Sequence, residues 1–215
     1  MLFKAFQCTP VSGDDCETAF SSVIELMPTL ETARLDVIRL FGRNAPLQVD
    51  LGCGDGSFLC QLAEQFPTKN FLGIERLTKR VEKIRRRAEK IGNLRVLRTE
   101  TLFAVRYLLP ANSVEAFYLL FPDPWPKRRH QQRRVFTGEF LNAIAAALEQ
   151  SGILRVATDQ LDYFHQINRV SRAHSQFELA GVEEAVLPLT KFERKFREQE
   201  LPIYRLTLRK TSPVT

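Results

Sequence analysis

The sequence is poor in the residues that build metal sites and disulfide frameworks. Among 215 residues there are four cysteines and three histidines, and no two cysteines form a CxxC pair. Zinc sites usually combine closely spaced Cys and His ligands, so the sequence predicts no metal site. In a chain without an export signal, the thiols are expected to be reduced.

Long apolar runs are missing as well. No segment approaches the ~20 apolar residues that a membrane-spanning helix needs, and residues 1–7 lack the apolar stretch of a secretory signal. We therefore expect a cytoplasmic protein with no membrane partner. A length of 215 residues is typical of one domain with small appendages. Weak periodicity predicts an N-terminal extension over residues 1–30, followed by a single domain over residues 31–215.

Charge is unevenly distributed along this basic chain. The net charge is +6, yet residues 76–90 alone carry +6 and residues 127–134 carry +5, so the remainder totals −5. Basic segments on an otherwise mildly acidic body are typical of proteins that bind polyanions. For residues 76–90, a solvated helix face is an equally good interpretation.

A glycine-rich turn follows the short apolar segment 46–51. Glycines stand at positions 52, 54 and 56, and an amphipathic helix begins near Phe58. Strand, glycine turn and helix are the parts of a nucleotide-binding βα unit, in which glycines let the backbone approach a ligand. The GxGxG spacing differs from the GxGxxG of dinucleotide-binding folds. A second predicted strand, 70–75, ends at Glu75, whose carboxylate suits the two hydroxyls of a ribose.

Strands and helices alternate along the rest of the chain, which predicts an α/β fold with a doubly wound, mostly parallel sheet. Helices are predicted over residues 29–41, 78–91, 102–109, 136–149 and 160–173. The last two strands, 177–180 and 204–209, are expected to pair as a hairpin across residues 190–197. The acids that end the predicted strands should line one edge of the sheet: Asp50, Glu75, Glu100, Asp123 and Asp159.

The most distinctive segment reads FPDPWPKRR over residues 121–129. Two prolines stiffen the backbone around Asp123 at the carboxyl end of a strand, where ligands bind in open α/β sheets. An ordinary surface turn also contains Pro and Asp, but a tryptophan beside three consecutive cations favours a binding site. Trp125 can either stack on a base or pack within its own loop.

These motifs carry a family resemblance. The chain resembles the bacterial tRNA (guanine-N7)-methyltransferases in five segments, which occur in the family's order: DLGCGDGSF at 50–58, GIE at 73–75, FPDPWPK at 121–127, ATD at 157–159 and TKFE at 190–193. The resemblance implies the class I methyltransferase fold, a seven-stranded Rossmann-like sheet with an antiparallel C-terminal strand. It also implies S-adenosyl-L-methionine as cofactor and tRNA as partner, with a guanine in the variable loop, at tRNA position 46, as the methyl acceptor.

Site residues follow from the same resemblance, position by position. It implies that Asp123 is catalytic and that the cofactor is contacted by Asp50, Glu75, Glu100 and Asp123; we add Gly52, Gly54 and Gly56 of the glycine-rich turn, and Arg76 beside Glu75, to the predicted cofactor site. It implies tRNA contacts for Lys127, Asp159, Thr190, Lys191, Phe192 and Glu193, and the basic segment adds Arg128, Arg129, Arg133 and Arg134 as expected phosphate contacts. Two acids differ from the family's usual residue, since Glu is common where Asp50 stands and Asp where Glu100 stands. A monomer and a homodimer are both compatible with the sequence.

Other functions remain open at this point. A non-catalytic RNA-binding protein on a methyltransferase-like fold would explain the basic segments, and a methyltransferase acting on another RNA site would explain the motifs. A nucleotide-dependent dehydrogenase would explain Glu75 but not the GxGxG spacing. An amino-group methyltransferase would normally carry a Pro-Pro-aromatic loop, whereas Pro124 is followed here by Trp125 and Pro126.

Overall fold

One mixed sheet organises the protein in this computed structural model, which describes residues 23–24, 34–181 and 187–211. Eight strands pair in the order β1-β4-β3-β2-β5-β6-β8-β7. The strands are β1 (Val23–Ile24), β2 (Leu47–Leu51), β3 (Asn70–Glu75), β4 (Leu94–Arg98), β5 (Val114–Leu120), β6 (Leu148–Thr158), β7 (Phe177–Ala180) and β8 (Tyr204–Lys210). The helices are α1 (Val37–Phe41), α2 (Ser57–Gln65), α3 (Thr78–Ala88), α4 (Thr101–Phe103), α5 (Gly138–Ala147), α6 (Leu161–Arg172) and α7 (Lys191–Glu198).

The predicted doubly wound, mostly parallel sheet is confirmed. Strands β2 to β6 pair in parallel, and β8 is antiparallel to both of its neighbours, β6 and β7. The sheet also contains β1, two residues from the predicted N-terminal extension that pair in parallel with β4. The other residues of 1–30 lie outside the described ranges, so the predicted extension stays a prediction.

Several predicted boundaries were wrong, each for a local reason. The helix predicted over 29–41 begins at Val37, because the Asp36 side chain caps it by accepting a hydrogen bond from the Arg39 amide at 2.9 Å; residues 29–33 lie outside the described ranges. The last two strands do pair, but α7 lies in the connection between them, so they do not form a simple hairpin. The segment predicted as a helix over 102–109 begins as α4 and continues as a π-helical turn, Ala104–Leu108.

Side chains alternate between two cores on opposite faces of the sheet, as strand geometry requires. In β5, Phe117 and Leu119 pack with α5 and α6, whereas Ala116 and Tyr118 face the core beneath α2 and α3. Helices α3 and α6 therefore cover opposite faces. Where the structure describes the chain, no helix is both long and apolar enough to cross a membrane.

Candidate active site

A cleft of about 690 Å³ opens where β2, β3 and β5 end. The loops that follow these strands form its walls, because the carboxyl ends of parallel strands share one edge of the sheet. Of the predicted site residues, those lining it are Asp50, Gly52, Gly54, Glu75, Arg76, Glu100, Asp123, Arg133, Thr190, Lys191 and Phe192. Those that do not line it are Gly56, Lys127, Arg128, Arg129, Arg134, Asp159 and Glu193.

The glycine-rich loop exposes its backbone to this cleft. Gly52 and Gly54 have left-handed φ angles of 76° and 60°, a conformation that side chains with a Cβ rarely adopt. A Cβ at Gly52 would meet no atom within 4 Å, and one at Gly54 would meet only the Gly52 carbonyl oxygen at 3.9 Å. The space beside both residues is therefore open to a ligand.

Gly56 has a packing role that its spacing did not predict. A Cβ at this position would lie 2.7 Å from the Ile84 side chain, and Gly56 precedes α2 with a φ of 73°. The missing side chain lets α2 pack against α3, which gives Gly56 a structural role; its assignment to the cofactor site stays a prediction. Sequence spacing alone cannot distinguish a glycine that faces a ligand from one that faces a neighbouring helix.

Glu75 joins the ends of β2 and β3. It is buried, and its carboxylate accepts hydrogen bonds from the Gly54 amide at 3.1 Å and from the Leu77 amide at 2.9 Å. The Arg80 guanidinium lies 3.4 Å from the same carboxylate. Oε2 accepts from both Gly54 and Arg80, whereas Oε1 accepts from Leu77 and has a second lone pair. Glu75 can therefore position the glycine-rich loop and still accept a hydrogen bond from a ligand through Oε1.

Asp50 is a second buried acid, 4% exposed, in β2 next to the glycine-rich loop. Burial, and then the nearby charge of Glu75, raise the pKa of Asp50 from 3.8 to about 7. The ionised form of Asp50 is thus poorly stabilised by the protein itself. A cationic group bound nearby would favour that form and lower the pKa.

The loop after β5 has an unusual backbone conformation that its surroundings constrain. Phe121 and Trp125 have left-handed φ angles of 53° and 41°, which are unusual for bulky side chains and indicate strain held by the surroundings. The Phe121 amide donates to the Ala157 carbonyl at 2.8 Å. Asp123 lies between these two residues and is exposed at the cleft wall.

Trp125 packs mainly against its own loop. The Arg133 guanidinium lies over its ring at 4.9 Å from the centroid, and His130 meets the ring edge-on at 5.9 Å. Both distances are typical of favourable aromatic contacts. Trp125 also lines the cleft. The structure thus supports the loop-packing interpretation and leaves stacking on a base as a prediction.

Arg134 was predicted to bind RNA phosphates, and the structure corrects this. Its side chain is buried; it donates to the Pro124 carbonyl at 2.7 Å and to Gln166 at 2.8 Å, and pairs with Asp162 at 2.6 Å. The guanidinium also lies over the Tyr163 ring. Because these contacts occupy it, Arg134 anchors the Asp123 loop to α6 and is not available to phosphates. Position 134 lies within a run of exposed cations, so no sequence signal distinguished it.

The segment 190–193 combines structural and accessible side chains. Thr190 caps α7 by accepting a hydrogen bond from the Glu193 amide at 2.9 Å, the arrangement expected of a Thr-x-x-Glu pattern. Glu193 forms an ion pair with Arg197 within α7 and one with Arg205, which connects α7 to β8. Lys191 and Phe192 are exposed and line the cleft, with Phe192 54% exposed. These two remain the predicted tRNA contacts of the segment.

The remaining predicted site residues are Glu100, Asp159 and the cations of residues 127–129. Glu100 is exposed and caps α4, accepting hydrogen bonds from the Leu102 and Phe103 amides at 3.1 and 2.8 Å. Asp159 follows β6 and accepts a hydrogen bond from its neighbour Gln160 at 2.6 Å. Lys127, Arg128 and Arg129 are exposed around the start of a 3-10 helix. Within the described ranges, no group of His, Cys, Asp and Glu suits a metal ion.

Asp55 is a cleft residue that the sequence-based site prediction did not include. It belongs to the glycine-rich loop and lines the cleft, and its carboxylate lies 3.4 Å from Arg87 and 3.9 Å from Lys83 on α3. The Arg87 guanidinium also donates to the Asp55 carbonyl at 2.9 Å. The acid between two glycines was visible in the sequence, but its partners are about 30 residues away in the chain and had to be found in the structure.

Comparisons with known proteins agree with this geometry. A family profile described as "Putative methyltransferase" matches residues 44–206. A tRNA (guanine-N(7)-)-methyltransferase of Thermotoga maritima is 34% identical over 180 residues, covering 82% of this chain and 58% of that protein. A protein of the same name from Halorhodospira halophila is 38% identical over 173 residues, covering 77% of this chain and 75% of its own length.

The chain belongs to the tRNA (guanine-N7)-methyltransferase family. The resemblance predicted from the FPDPWPK and TKFE segments is therefore confirmed. The chain spans less than two thirds of the Thermotoga relative, at 58% of its length. Among solved structures, the 16S rRNA methyltransferase KamB is similar with a TM-score of 0.62 and 19% identity, covering 84% of this chain and 96% of that one. This likeness concerns the fold, which is that of the class I methyltransferases.

Proposed function

We propose that this protein transfers a methyl group from S-adenosyl-L-methionine to N7 of a guanine in tRNA, the variable-loop guanine at position 46. One observation carries the proposal: Asp123, held on a constrained loop, faces the same cleft as the open backbone of Gly52 and Gly54. A cofactor site and a base-recognition site thus share one cavity. The names of the relatives from Thermotoga maritima and Halorhodospira halophila support the substrate.

The residues around the glycine-rich loop fit the cofactor. Open space beside Gly52 and Gly54 admits a ligand close to the backbone, and Glu75 can accept a hydrogen bond from a ribose hydroxyl. Asp50, whose pKa is raised to about 7, would be stabilised in its ionised form by a cationic ligand. When bound, S-adenosyl-L-methionine supplies a methyl group on a positively charged sulfur, the electrophile of the reaction.

Asp123 would orient the guanine. Its carboxylate can accept hydrogen bonds from the N1–H and N2–H₂ edge of the base, which leaves N7 facing the glycine-rich loop. Guanine N7 carries a lone pair and no proton, so no general base has to remove one before the methyl group is transferred. The product base is cationic, and the negative charge of Asp123 would stabilise it. The protein then contributes mainly positioning and electrostatic stabilisation.

The tRNA would be held by groups on the rim of the cleft. Lys127, Arg128, Arg129 and Arg133 are exposed and would contact phosphates, which determine register rather than sequence. Lys191 and Phe192, at the start of α7, also line the cleft, and Phe192 packs against Phe121 of the loop after β5 at 6.1 Å between ring centroids. Phe192 also stacks on Phe196 at 6.1 Å, and because it is 54% exposed a base could stack on it.

The test measures methyl transfer to unmodified tRNA with labelled S-adenosyl-L-methionine, followed by nucleoside analysis and mapping of the methylated position. Wild type should form 7-methylguanosine at position 46. Asp123→Asn keeps the shape of the side chain but removes its charge, so we expect the rate to fall about 100-fold or more, as when one preorganised electrostatic contact is lost. Glu178→Gln, an exposed acid on β7, should retain the wild-type rate.

Other outcomes would contradict the proposal. If Asp123→Asn is as active as Glu178→Gln, the carboxylate does not orient the base. If wild type binds tRNA with no methyl transfer, the protein is an RNA-binding module on a methyltransferase fold. If 7-methylguanosine forms at a different position or in a different RNA, the reaction stands and the substrate is corrected.

A further inference from the structure

The polar face of α3 is the most strongly charged surface that the proposed reaction does not use. Eight cations of residues 76–90 are exposed, against two acids, Glu82 and Glu89. Three of the cations are paired with carboxylates: Arg80 with Glu75, and Lys83 and Arg87 with Asp55. Among the described residues, no carboxylate lies within ion-pair distance of the other five, namely Arg76, Lys79, Arg85, Arg86 and Lys90.

These cations connect the cleft with a second depression. Arg76, Lys79, Arg80 and Lys83, at and just before the start of α3, line the cleft itself. Arg86, Arg87 and Lys90, at the other end, line a depression of about 430 Å³ together with two acids, Glu64 and Glu89, and the apolar residues Ala63, Pro67 and Ile91. Lys79, Lys83, Arg86 and Lys90 are spaced by four, three and four residues, so they form one stripe along the helix.

The stripe is tied to the site by Asp55. This residue belongs to the glycine-rich loop, lies 3.4 Å from Arg87 and 3.9 Å from Lys83, and lines the cleft. Lys83 of the stripe and the neighbouring Arg87 are thereby tied to the proposed cofactor site. An anion bound along α3 would consequently have a defined position with respect to the reacting base.

We propose that α3 is a phosphate-binding track that holds the RNA backbone leading away from the methylated nucleotide. The inference rests on the proposed function for its substrate. Helix α3 has 11 residues, which corresponds to about 16 Å. One strand of duplex nucleic acid presents a phosphate every ~3.4 Å along its axis, so the helix can face about five phosphates. The track and the Lys127–Arg129 rim together give the RNA contacts on two sides of the cleft.

The experiment compares two pairs of substitutions at the ends of helices on opposite faces of the sheet; Lys90 lies two residues past the end of α3. Arg86→Gln with Lys90→Gln removes two cations of the track that have no described carboxylate partner. Arg169→Gln with Arg172→Gln removes two exposed cations from the end of α6 and serves as the matched control. A third protein, Arg86→Lys with Lys90→Arg, keeps the charge of the track.

Binding of an unmodified tRNA transcript is measured from 50 to 300 mM salt, together with kcat and KM for methyl transfer. We expect the α3 pair to lose about tenfold in affinity at 0.1 M salt and to bind with a salt slope shallower by about 1.5, because two phosphate contacts are lost. KM should rise while kcat stays within about twofold. The α6 pair and the charge-retaining protein should both behave like wild type.

The proposal is overturned if the α3 pair binds tRNA with wild-type affinity and salt slope, or if the α6 pair weakens binding equally. A fall in kcat without a change in affinity also overturns it, since the track would then act on the site and not on the RNA backbone. Failure of the proposed function is seen separately, as absence of 7-methylguanosine from the wild-type reaction, because the binding comparison does not depend on methyl transfer.

Discussion

Two loops form the facing walls of the site, and they reach similar backbone conformations by different means. The loop after β2 uses Gly52, Gly54 and Gly56 for its left-handed φ angles, whereas the loop after β5 places Phe121 and Trp125 in the same region. Glycine adopts this conformation without steric cost, but bulky residues adopt it only when the surroundings hold them there. The loop after β2 therefore reaches its conformation at low steric cost, whereas the loop after β5 is held in its conformation by Arg134 and the residues that Arg134 contacts.

The acids of the two walls differ in the same way. Asp50 and Glu75 beside the glycine-rich loop are 4% exposed, whereas Asp123 is exposed. Buried carboxylates suit a ligand that is enclosed and brings its own positive charge or hydroxyl groups. An exposed carboxylate on a constrained loop suits a base that arrives from solvent as part of a large RNA. The comparison predicts that substitutions in the two loops change stability and activity in different ways.

The largest loss of stability is expected from Arg134→Met, because Arg134 anchors the loop after β5. The substitution keeps much of the side-chain volume but deletes the hydrogen bonds to Pro124 and Gln166 and the pair with Asp162. We expect the free energy of unfolding to fall by about 3 kcal/mol, because a buried guanidinium and its hydrogen bonds are lost, whereas Asp162 is 72% exposed and stays solvated. Urea unfolding measures this. Arg129→Met, at an exposed neighbouring cation, should change stability by less than ~0.5 kcal/mol.

If Arg134→Met and Arg129→Met prove equally stable, then Arg134 is not the anchor and the contrast between the loops is wrong. Measuring methyl transfer by the two variants gives a second test of the role of Arg134. Loss of the anchor should lower kcat by releasing Asp123, whereas loss of Arg129 should mainly raise KM for tRNA.

A smaller effect is expected from Asp50→Asn, which should change how the free energy of unfolding depends on pH. In the folded protein Asp50 has a pKa of about 7, against an ordinary value of 3.8. The folded state therefore holds this proton more tightly than the unfolded state, and stability falls as pH rises from about 4 to about 7. Between pH 5.5 and 7.5, wild type should lose about 2 kcal/mol more of its unfolding free energy than Asp50→Asn. Parallel pH profiles for the two proteins would show that Asp50 does not titrate in this range.

The smallest loss of stability is expected from Gly52→Ala, in the loop after β2. Alanine at a φ of 76° costs about 1.5 kcal/mol, and the added methyl group projects into the space proposed for the cofactor. Unfolding measurements and calorimetry with S-adenosyl-L-methionine should both show a loss. Gly138→Ala is the control, because it starts α5 and meets no atom within 4 Å; it should be neutral or slightly stabilising. Equal stability of the two variants would mean that the backbone at Gly52 is not strained by a side chain.

Much of the site was predictable from local patterns. The apolar period and the punctuating glycines indicated β2, α2 and β3, and hence an edge where Asp50, Glu75 and Asp123 meet. Contacts between distant residues were not predictable in the same way. Arg134 has the sequence environment of a phosphate ligand, and only the packing of α6 beside it shows that its guanidinium is buried. Gly56 has the spacing of a ligand-facing glycine, and only the position of Ile84 shows that it packs against α3.

The sequence by itself determined the alternation of strands and helices from β2 to α6, the glycine-rich turn, the FPDPWPK loop and the basic character of α3, because each depends on residues close together in the chain. The tertiary structure decided which of those residues are free to act. Burial and long-range hydrogen bonds assign Arg134 to the scaffold and Lys127 to the surface, and they link Asp55 to α3. Such assignments depend on which side chains meet across the fold, and residue type alone does not specify that.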